Sequence, residues 1–152
     1  MTTARTHPTL DQQQVVEQLG EVRKEIARCI IGLEDEITLL LCAVISGRHV
    51  LVEGVPGLGK TMLIKTLARC LGCSFRRIQF TPDLLPADIL GGYIYNPKSG
   101  SFTLRKGPVF ANFILADEIN RAPAKTQSAM LEVMAEQQVT IEGETLPIEL
   151  PF

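Results

Sequence analysis

The sequence predicts an α/β fold with parallel strands, and three observations point to it. A glycine-rich loop at residues 54–61 follows a short apolar segment, residues 49–53, and precedes a stretch with helical spacing at residues 60–71. Two further strand candidates follow: residues 75–80, with alternating polar positions, and residues 109–116. The order strand, loop, helix, strand is typical of α/β folds, because parallel strands need a crossover connection that a helix provides.

The region before the loop divides into a tail and two helices. Residues 1–10 are polar and predict a flexible tail, so that residues 11–152 form one partial domain. The first helix is predicted by apolar residues at helical spacing: Val15, Leu19, Val22, Ile26 and Cys29. A second helix is predicted over residues 33–46, closed by Gly47, and residues 49–53 predict a short buried strand.

Two hairpins and a helix complete the prediction. Residues 91–104 predict a β-hairpin with its turn at residues 96–100, and residues 139–148 predict a second with its turn at Glu142 and Gly143. A helix is predicted between them at residues 123–136.

Composition excludes few function classes. The net charge of −2 and the pI near 5.7 argue mildly against a nucleic-acid partner, and the longest apolar run, residues 39–45, is too short to cross a bilayer. Four cysteines include a C-x-x-C pair, Cys70 and Cys73, at the predicted end of a helix. A redox pair normally opens a helix, so we expect reduced thiols and a cytoplasmic protein.

The strongest motif is a phosphate-binding loop. Residues 54–61 match G-x-x-x-x-G-K-[ST] between a strand and a helix candidate. The glycines let backbone N–H groups face phosphates, Lys60 reaches the β and γ oxygens, and Thr61 holds Mg²⁺. This predicts binding of ATP with Mg²⁺; a purely structural glycine turn is the alternative. The predicted nucleotide contacts are Gly54, Val55, Pro56, Gly57, Leu58, Gly59, Lys60, Thr61, Met62 and Asp117.

A second element is the apolar strand candidate that ends in Asp117 and Glu118. Combined with the loop, it predicts that Asp117 orients the Mg²⁺ shell together with Thr61. Glu118 would polarise an attacking water. Lys60 is the other predicted catalytic residue, through its contact with the β and γ oxygens. The alternative is a pair of solvated acids at a strand end.

Four stretches, taken together, are more specific for one protein family than either nucleotide motif alone. They are the loop GVPGLGKT, RIQFTPDLLP at residues 77–86, GPVFAN at residues 107–112, and DEINRAP at residues 117–123 followed by KTQ. In this combination the sequence resembles the MoxR-type ATPases of the AAA+ superfamily, from about residue 30 to the last residue.

The resemblance implies a P-loop NTPase sheet with flanking helices and two inserted hairpins. It also implies a ring-forming, often hexameric ATPase with chaperone-like activity on partner proteins. The two hairpins would be the helix-2 insert and the hairpin before sensor 1, both facing the ring's pore. Tyr93, Tyr95 and Phe102 are then candidate contacts for a protein substrate, with packing between facing strands as the alternative.

Three polar residues are weaker inferences from the resemblance. Gln79 could restrain Glu118 until a ligand arrives, and Arg121 and Lys125 could touch nucleotide or a neighbouring subunit. Simple solvent exposure explains each of them about as well.

The resemblance further implies elements that the sequence does not contain: sensor 1, the arginine finger and a helical lid. In this superfamily the strand before the phosphate loop lies between two later strands, so residues 49–53 would lack both partners. Unpaired buried backbone groups cost about 1–3 kcal/mol each. We therefore expect an incomplete sheet and a marginally folded chain that binds ATP without hydrolysing it efficiently.

Two other functions stay open at this point. One is a nucleic-acid-dependent motor, because helicases of the minichromosome maintenance type share both hairpin insertions, and Lys98, Arg105 and Lys106 supply some positive charge. The other is a nucleotide-binding module without hydrolysis.

Overall fold

The computed structural model describes residues 11–53 and 59–152. Three helices come first: α1 (Gln12–Ala27), α2 (Glu34–Ile45) and α3 (Lys60–Cys70). Each lies within two or three residues of its predicted bounds. Gly32 between α1 and α2 and Gly47 after α2 have positive φ, at +79° and +58°, which a residue without a Cβ adopts most easily. The predicted tail, residues 1–10, lies outside the described residues.

The remaining elements are six strands, two helices and one 3₁₀ turn in the part of the chain that follows α3. They are β1 (Phe75–Gln79), α4 (Pro86–Leu90), β2 (Gly91–Asn96), β3 (Ser101–Lys106), β4 (Phe113–Asp117), a 3₁₀ turn (Ile119–Arg121), α5 (Ala124–Glu136), β5 (Gln138–Ile141) and β6 (Glu144–Pro147). β1 and β4 form a parallel pair, whereas β2–β3 and β5–β6 are antiparallel hairpins. The predicted α/β class with two inserted hairpins is confirmed.

The β1–β4 pair separates two apolar cores. Ile78 and Ala116, which are partners in the register, face a core built from α5 and the hairpins, with Phe80, Val109 and Met130 at its centre. On the other side of the sheet, Phe113 packs against the core between α1, α2 and α3. Because side chains alternate along a strand, the odd-numbered positions of both strands share the α3 side.

The predicted buried strand at residues 49–53 is wrong in this structure. The segment has no strand assignment, and Val50, Leu51 and Val52 are exposed to 47, 83 and 40%. A strand forms only where a neighbour satisfies its amide groups, and none of the described strands pairs with this segment. His49 instead lies beside α5, with Nε2 3.2 Å from the carbonyl oxygen of Met134.

Two smaller differences concern strand ends and a short helix. The strand predicted at residues 109–116 begins only at Phe113, because Val109 and Phe110 belong to a turn that follows Gly107. The helix α4 was not predicted; Pro86 occupies its first turn, and Asp88 accepts a hydrogen bond from the Leu85 N–H at 2.8 Å. In the part of the chain that the structure describes, no helix combines the length and apolar character needed to cross a membrane.

Candidate functional site

The described end of the phosphate loop lies at the start of α3. Gly59 has φ +72° and is followed directly by Lys60, the first helical residue, with the Leu63 N–H donating to the Gly59 carbonyl at 2.9 Å. Lys60 is half-buried, and Thr61 and Met62 are exposed. The first N–H groups of a helix lack helical partners and attract anions, so this end of α3 suits a phosphate. The predicted contacts Gly54, Val55, Pro56, Gly57 and Leu58 lie outside the described residues.

The two predicted carboxylates lie where β4 ends. Asp117 is its last residue and is half-buried, while Glu118 is exposed and left-handed, with φ +58°. The Glu118 carbonyl accepts the Arg121 N–H at 2.9 Å, which closes the 3₁₀ turn. A left-handed glutamate is strained, and such strain is concentrated at functional sites. Here the strained residue is the one that the sequence predicts to activate water.

A basic residue that the sequence analysis did not single out contacts Asp117. The Arg77 Nη2 atom donates to the Asp117 carboxylate at 2.5 Å and to Gln79 Oε1 at 3.0 Å. Arg77 and Gln79 are two residues apart on β1, and Gln79 is the register partner of Asp117. The described hydrogen bond of the Gln79 side chain is therefore with Arg77 and not with Glu118. A role for Gln79 in restraining Glu118 stays a prediction.

Two of the four family-like stretches contact each other. Thr126, on α5, is buried to 1% exposure, and its hydroxyl donates to the Leu84 carbonyl at 2.6 Å. Gln127 donates to the Ala122 carbonyl at 2.8 Å, which ties α5 to the segment after Glu118. Arg121 and Lys125 are both exposed. The stretch that begins at Arg77 is therefore joined to the start of α5 by a part-buried hydrogen bond.

The two hairpins are joined by a hydrogen bond between side chains. The Tyr93 hydroxyl, on β2, donates to the carboxylate of Glu144, on β6, and this bond raises the pKa of Tyr93 above its usual value. Tyr95 and Phe102 are cross-strand partners whose ring centroids lie 5.4 Å apart, and they are exposed to 54 and 68%. Of the three predicted contacts, Tyr93 is engaged within the fold, and the other two form an exposed aromatic pair.

The predicted Mg²⁺ ligands fit a hard divalent cation by chemistry. Thr61 and Asp117 offer hydroxyl and carboxylate oxygens, which Mg²⁺ prefers, and it commonly completes its shell with phosphate oxygens and water. Among residues 11–53 and 59–152, no group of three or more acidic, histidine or cysteine side chains forms a metal cage.

The C-x-x-C pair lies at the end of α3, as the sequence predicts. Cys70 is the last helical residue and Cys73 follows the turn at Gly72. Burial raises the pKa of both thiols. A raised pKa lowers the thiolate fraction, which is opposite to the behaviour of redox-active cysteines.

Comparison with known proteins is consistent with this geometry. Residues 49–152 match a sequence model of one protein family, the ATPase family associated with various cellular activities (AAA). The chain is 50% identical over 134 residues to the uncharacterised protein YeaC of Bacillus subtilis. The matching region covers 88% of this chain and 42% of that protein. The chain is also 53% identical over 128 residues to the chaperone MoxR1 of Mycobacterium tuberculosis, covering 84% of this chain and 34% of that protein.

A solved structure shares the fold. It is the crystal structure of a presumed ATPase from Cytophaga hutchinsonii, with a TM-score of 0.82 and 52% identity over 90% of this chain and 41% of that one. The chain thus spans less than half of the length of each of these three proteins.

Proposed function

Because the chain belongs to the AAA family of ATPases, in its MoxR-type branch, we propose that it binds ATP with Mg²⁺ where α3 and β4 meet and contributes the core of an ATPase. The observation that carries the proposal is the parallel β1–β4 pair, whose carboxyl end presents Asp117 and Glu118 on the sheet that α3 packs against. In parallel α/β sheets, ligands bind at the carboxyl ends of the strands.

The proposal gives each residue one role. Lys60 would contact the β and γ phosphates, and residues 54–59 together with Met62 would supply further contacts to the nucleotide. Thr61 and Asp117 hold the cation, which supplies positive charge against the phosphates when bound. Glu118 would accept a proton from a water whose oxygen bonds to the γ phosphorus while the bond from that phosphorus to the departing ADP oxygen breaks. The exposed carboxylate leaves room for that water.

Two variants test this proposal. Lys60→Ala should weaken binding of a fluorescent ATP analogue with Mg²⁺ by at least about tenfold, because it removes a charge-assisted contact worth about 1.5–3 kcal/mol. Glu118→Gln should preserve binding and lower turnover by about 10²- to 10⁴-fold. Glu132→Gln, an exposed glutamate on α5, is the matched control and should change neither.

The results separate an ATPase from a binding module. Binding that Lys60→Ala abolishes, without turnover in the wild type, would favour a nucleotide-binding module. Equal binding by the wild type and Lys60→Ala would contradict the proposal.

A ring assembly and a protein substrate are the wider part of the proposal. One relative is named a chaperone, and the exposed Tyr95 and Phe102 pair offers an apolar surface to a partner protein. Light scattering with and without nucleotide measures assembly. A double Tyr95→Ser, Phe102→Ser variant should retain nucleotide binding and lose association with an unfolded model protein. Unchanged association would exclude the hairpin as the contact.

A further inference from the structure

The Asp117 carboxylate has a positively charged partner within the protein. Arg77 Nη2 lies 2.5 Å from Asp117 Oδ2 and also donates to Gln79 Oε1. The Arg77 and Asp117 side chains are exposed to 49 and 37%, so both remain accessible to solvent and to ligands. Asp117 is the carboxylate that the proposed function assigns to the cation.

The strand register makes this pairing specific. Gln79 is the partner of Asp117 and Arg77 is the partner of Leu115, so Arg77 and Asp117 share one face of the β1–β4 pair. Side chains at positions i and i+2 of a strand lie on the same face, so Arg77 and Gln79 both reach Asp117's side of the sheet. Arg76, the neighbouring residue, projects to the opposite face and forms no ion pair with any described residue.

A guanidinium and a divalent cation compete for the same carboxylate. An arginine paired with a carboxylate offers positive charge and hydrogen bonds. A metal ion that binds Oδ2 must displace the guanidinium or share that oxygen with it, and at either oxygen the nearby positive charge opposes its approach. Removing the guanidinium should therefore leave Asp117 more available to a cation.

We propose that Arg77 is a positioning residue that pairs with Asp117 and competes with a divalent cation for its carboxylate. The inference rests on the proposed function for the identity of the site. It adds a competing internal cation, so that Arg77 sets the cation concentration at which the site fills. Gln79 keeps Arg77 beside the site through its own hydrogen bond.

The test uses the full 152-residue chain and Mn²⁺ alone, measured by water-proton relaxation. Arg77→Gln should lower the half-saturating Mn²⁺ concentration about three- to tenfold, the range expected for a partly exposed charge-assisted pair. Arg77→Lys keeps the charge and should stay within about twofold of the wild type. Arg76→Gln makes the same change of charge one residue away and should have no more than a small effect.

A double-mutant cycle identifies the carboxylate involved. In an Asp117→Asn background, Arg77→Gln should have no effect on the half-saturating Mn²⁺ concentration, because the negative charge for which the two cations compete is gone. Circular dichroism of each variant establishes that the fold is retained, and Arg77→Lys serves as the second informative variant.

The outcomes are distinct. An unchanged or higher half-saturating concentration in Arg77→Gln, or a gain equal to that of Arg76→Gln, would overturn the proposal. A gain that persists in the Asp117→Asn background would overturn it as well. Nucleotide binding is measured separately on the same samples with Lys60→Ala, so its absence would contradict the proposed function while the Mn²⁺ comparison still decides the role of Arg77.

Discussion

The base of the first hairpin is so tightly closed that one added methyl group should open it. A Cβ on Gly107 would lie 2.3 Å from the Ile89 carbonyl oxygen, 2.5 Å from the Gly91 nitrogen and 2.6 Å from the Leu90 carbonyl carbon. These neighbours are backbone atoms, so no side chain can rotate away. Ordinary contact lies near 3.4–4 Å, and the two segments would have to separate by about 1 Å.

This separation breaks hydrogen bonds as well as packing. The Gly107 N–H donates to the Leu90 carbonyl at 3.1 Å, and the Val109 N–H donates to the Ile89 carbonyl at 3.2 Å. Losing both costs about 1 kcal/mol each, and overpacking adds about 1–3 kcal/mol. Gly107→Ala should therefore lower the free energy of unfolding by about 3–5 kcal/mol, a large part of a typical stability of about 5–15 kcal/mol.

Gly92→Ala is the matched control for this prediction. A Cβ at Gly92 meets no atom within 4 Å, so the change should stay within about 0.5 kcal/mol of the wild type. Urea unfolding followed by circular dichroism measures both variants, and the Gly107→Ala midpoint should fall by about 1–2 M. Protease cleavage in residues 91–106 is the second measurement, since an opened hairpin is cut faster. Equal midpoints and equal cleavage rates for the two alanine variants would refute the steric argument.

Two further predictions concern the hairpin contact and the exposed segment after α2. The hydrogen bond to Glu144 raises the pKa of Tyr93, so its contribution is complete below the ordinary phenol pKa and is lost as the pH rises through the raised value. In a Tyr95→Phe background, Glu144→Gln should lower the pH at which phenolate absorbance appears; no change would mean that the bond does not form in solution. Leu51 is 83% exposed and Leu67 only 1%, so Leu51→Ala should cost less than about 0.5 kcal/mol and Leu67→Ala about 2–5 kcal/mol in urea unfolding. A comparable loss at both positions would show that residues 49–53 are packed.

The helices and hairpins could be predicted from the sequence because their signals are local. The apolar spacing from Val15 to Cys29 predicted α1, and the Glu142 and Gly143 turn predicted the second hairpin. Both features arise from residues that are neighbours in the chain. The turn residues also have the expected backbone, with φ of +49° and +89°.

Features that depend on distant partners were missed or wrong. Residues 49–53 have the apolar pattern of a strand, yet a strand also needs a neighbour; the family resemblance, and not a local signal, gave the expectation that both neighbours are missing. The contact between Arg77 and Asp117 joins residues 40 positions apart. It follows from the register of two strands, and register depends on the packing of both faces of the sheet.

The contact between Arg77 and Asp117 and the base of the first hairpin at Gly107 lie in separate parts of the fold. Arg77 and Asp117 lie on the side that faces α3, whereas a Cβ on Gly107 would meet backbone atoms of α4 and of the first residue of β2. The two sets of contacts share no residue, so the energetic effects of changing them should add. A variant with both Arg77→Gln and Gly107→Ala should therefore lose the stability of the Gly107→Ala variant while its folded fraction keeps the tighter Mn²⁺ binding of Arg77→Gln. If the hairpin change abolished that tighter binding in the folded fraction, the cation site and the hairpin would be coupled through the sheet, and the separation of the two faces would be wrong.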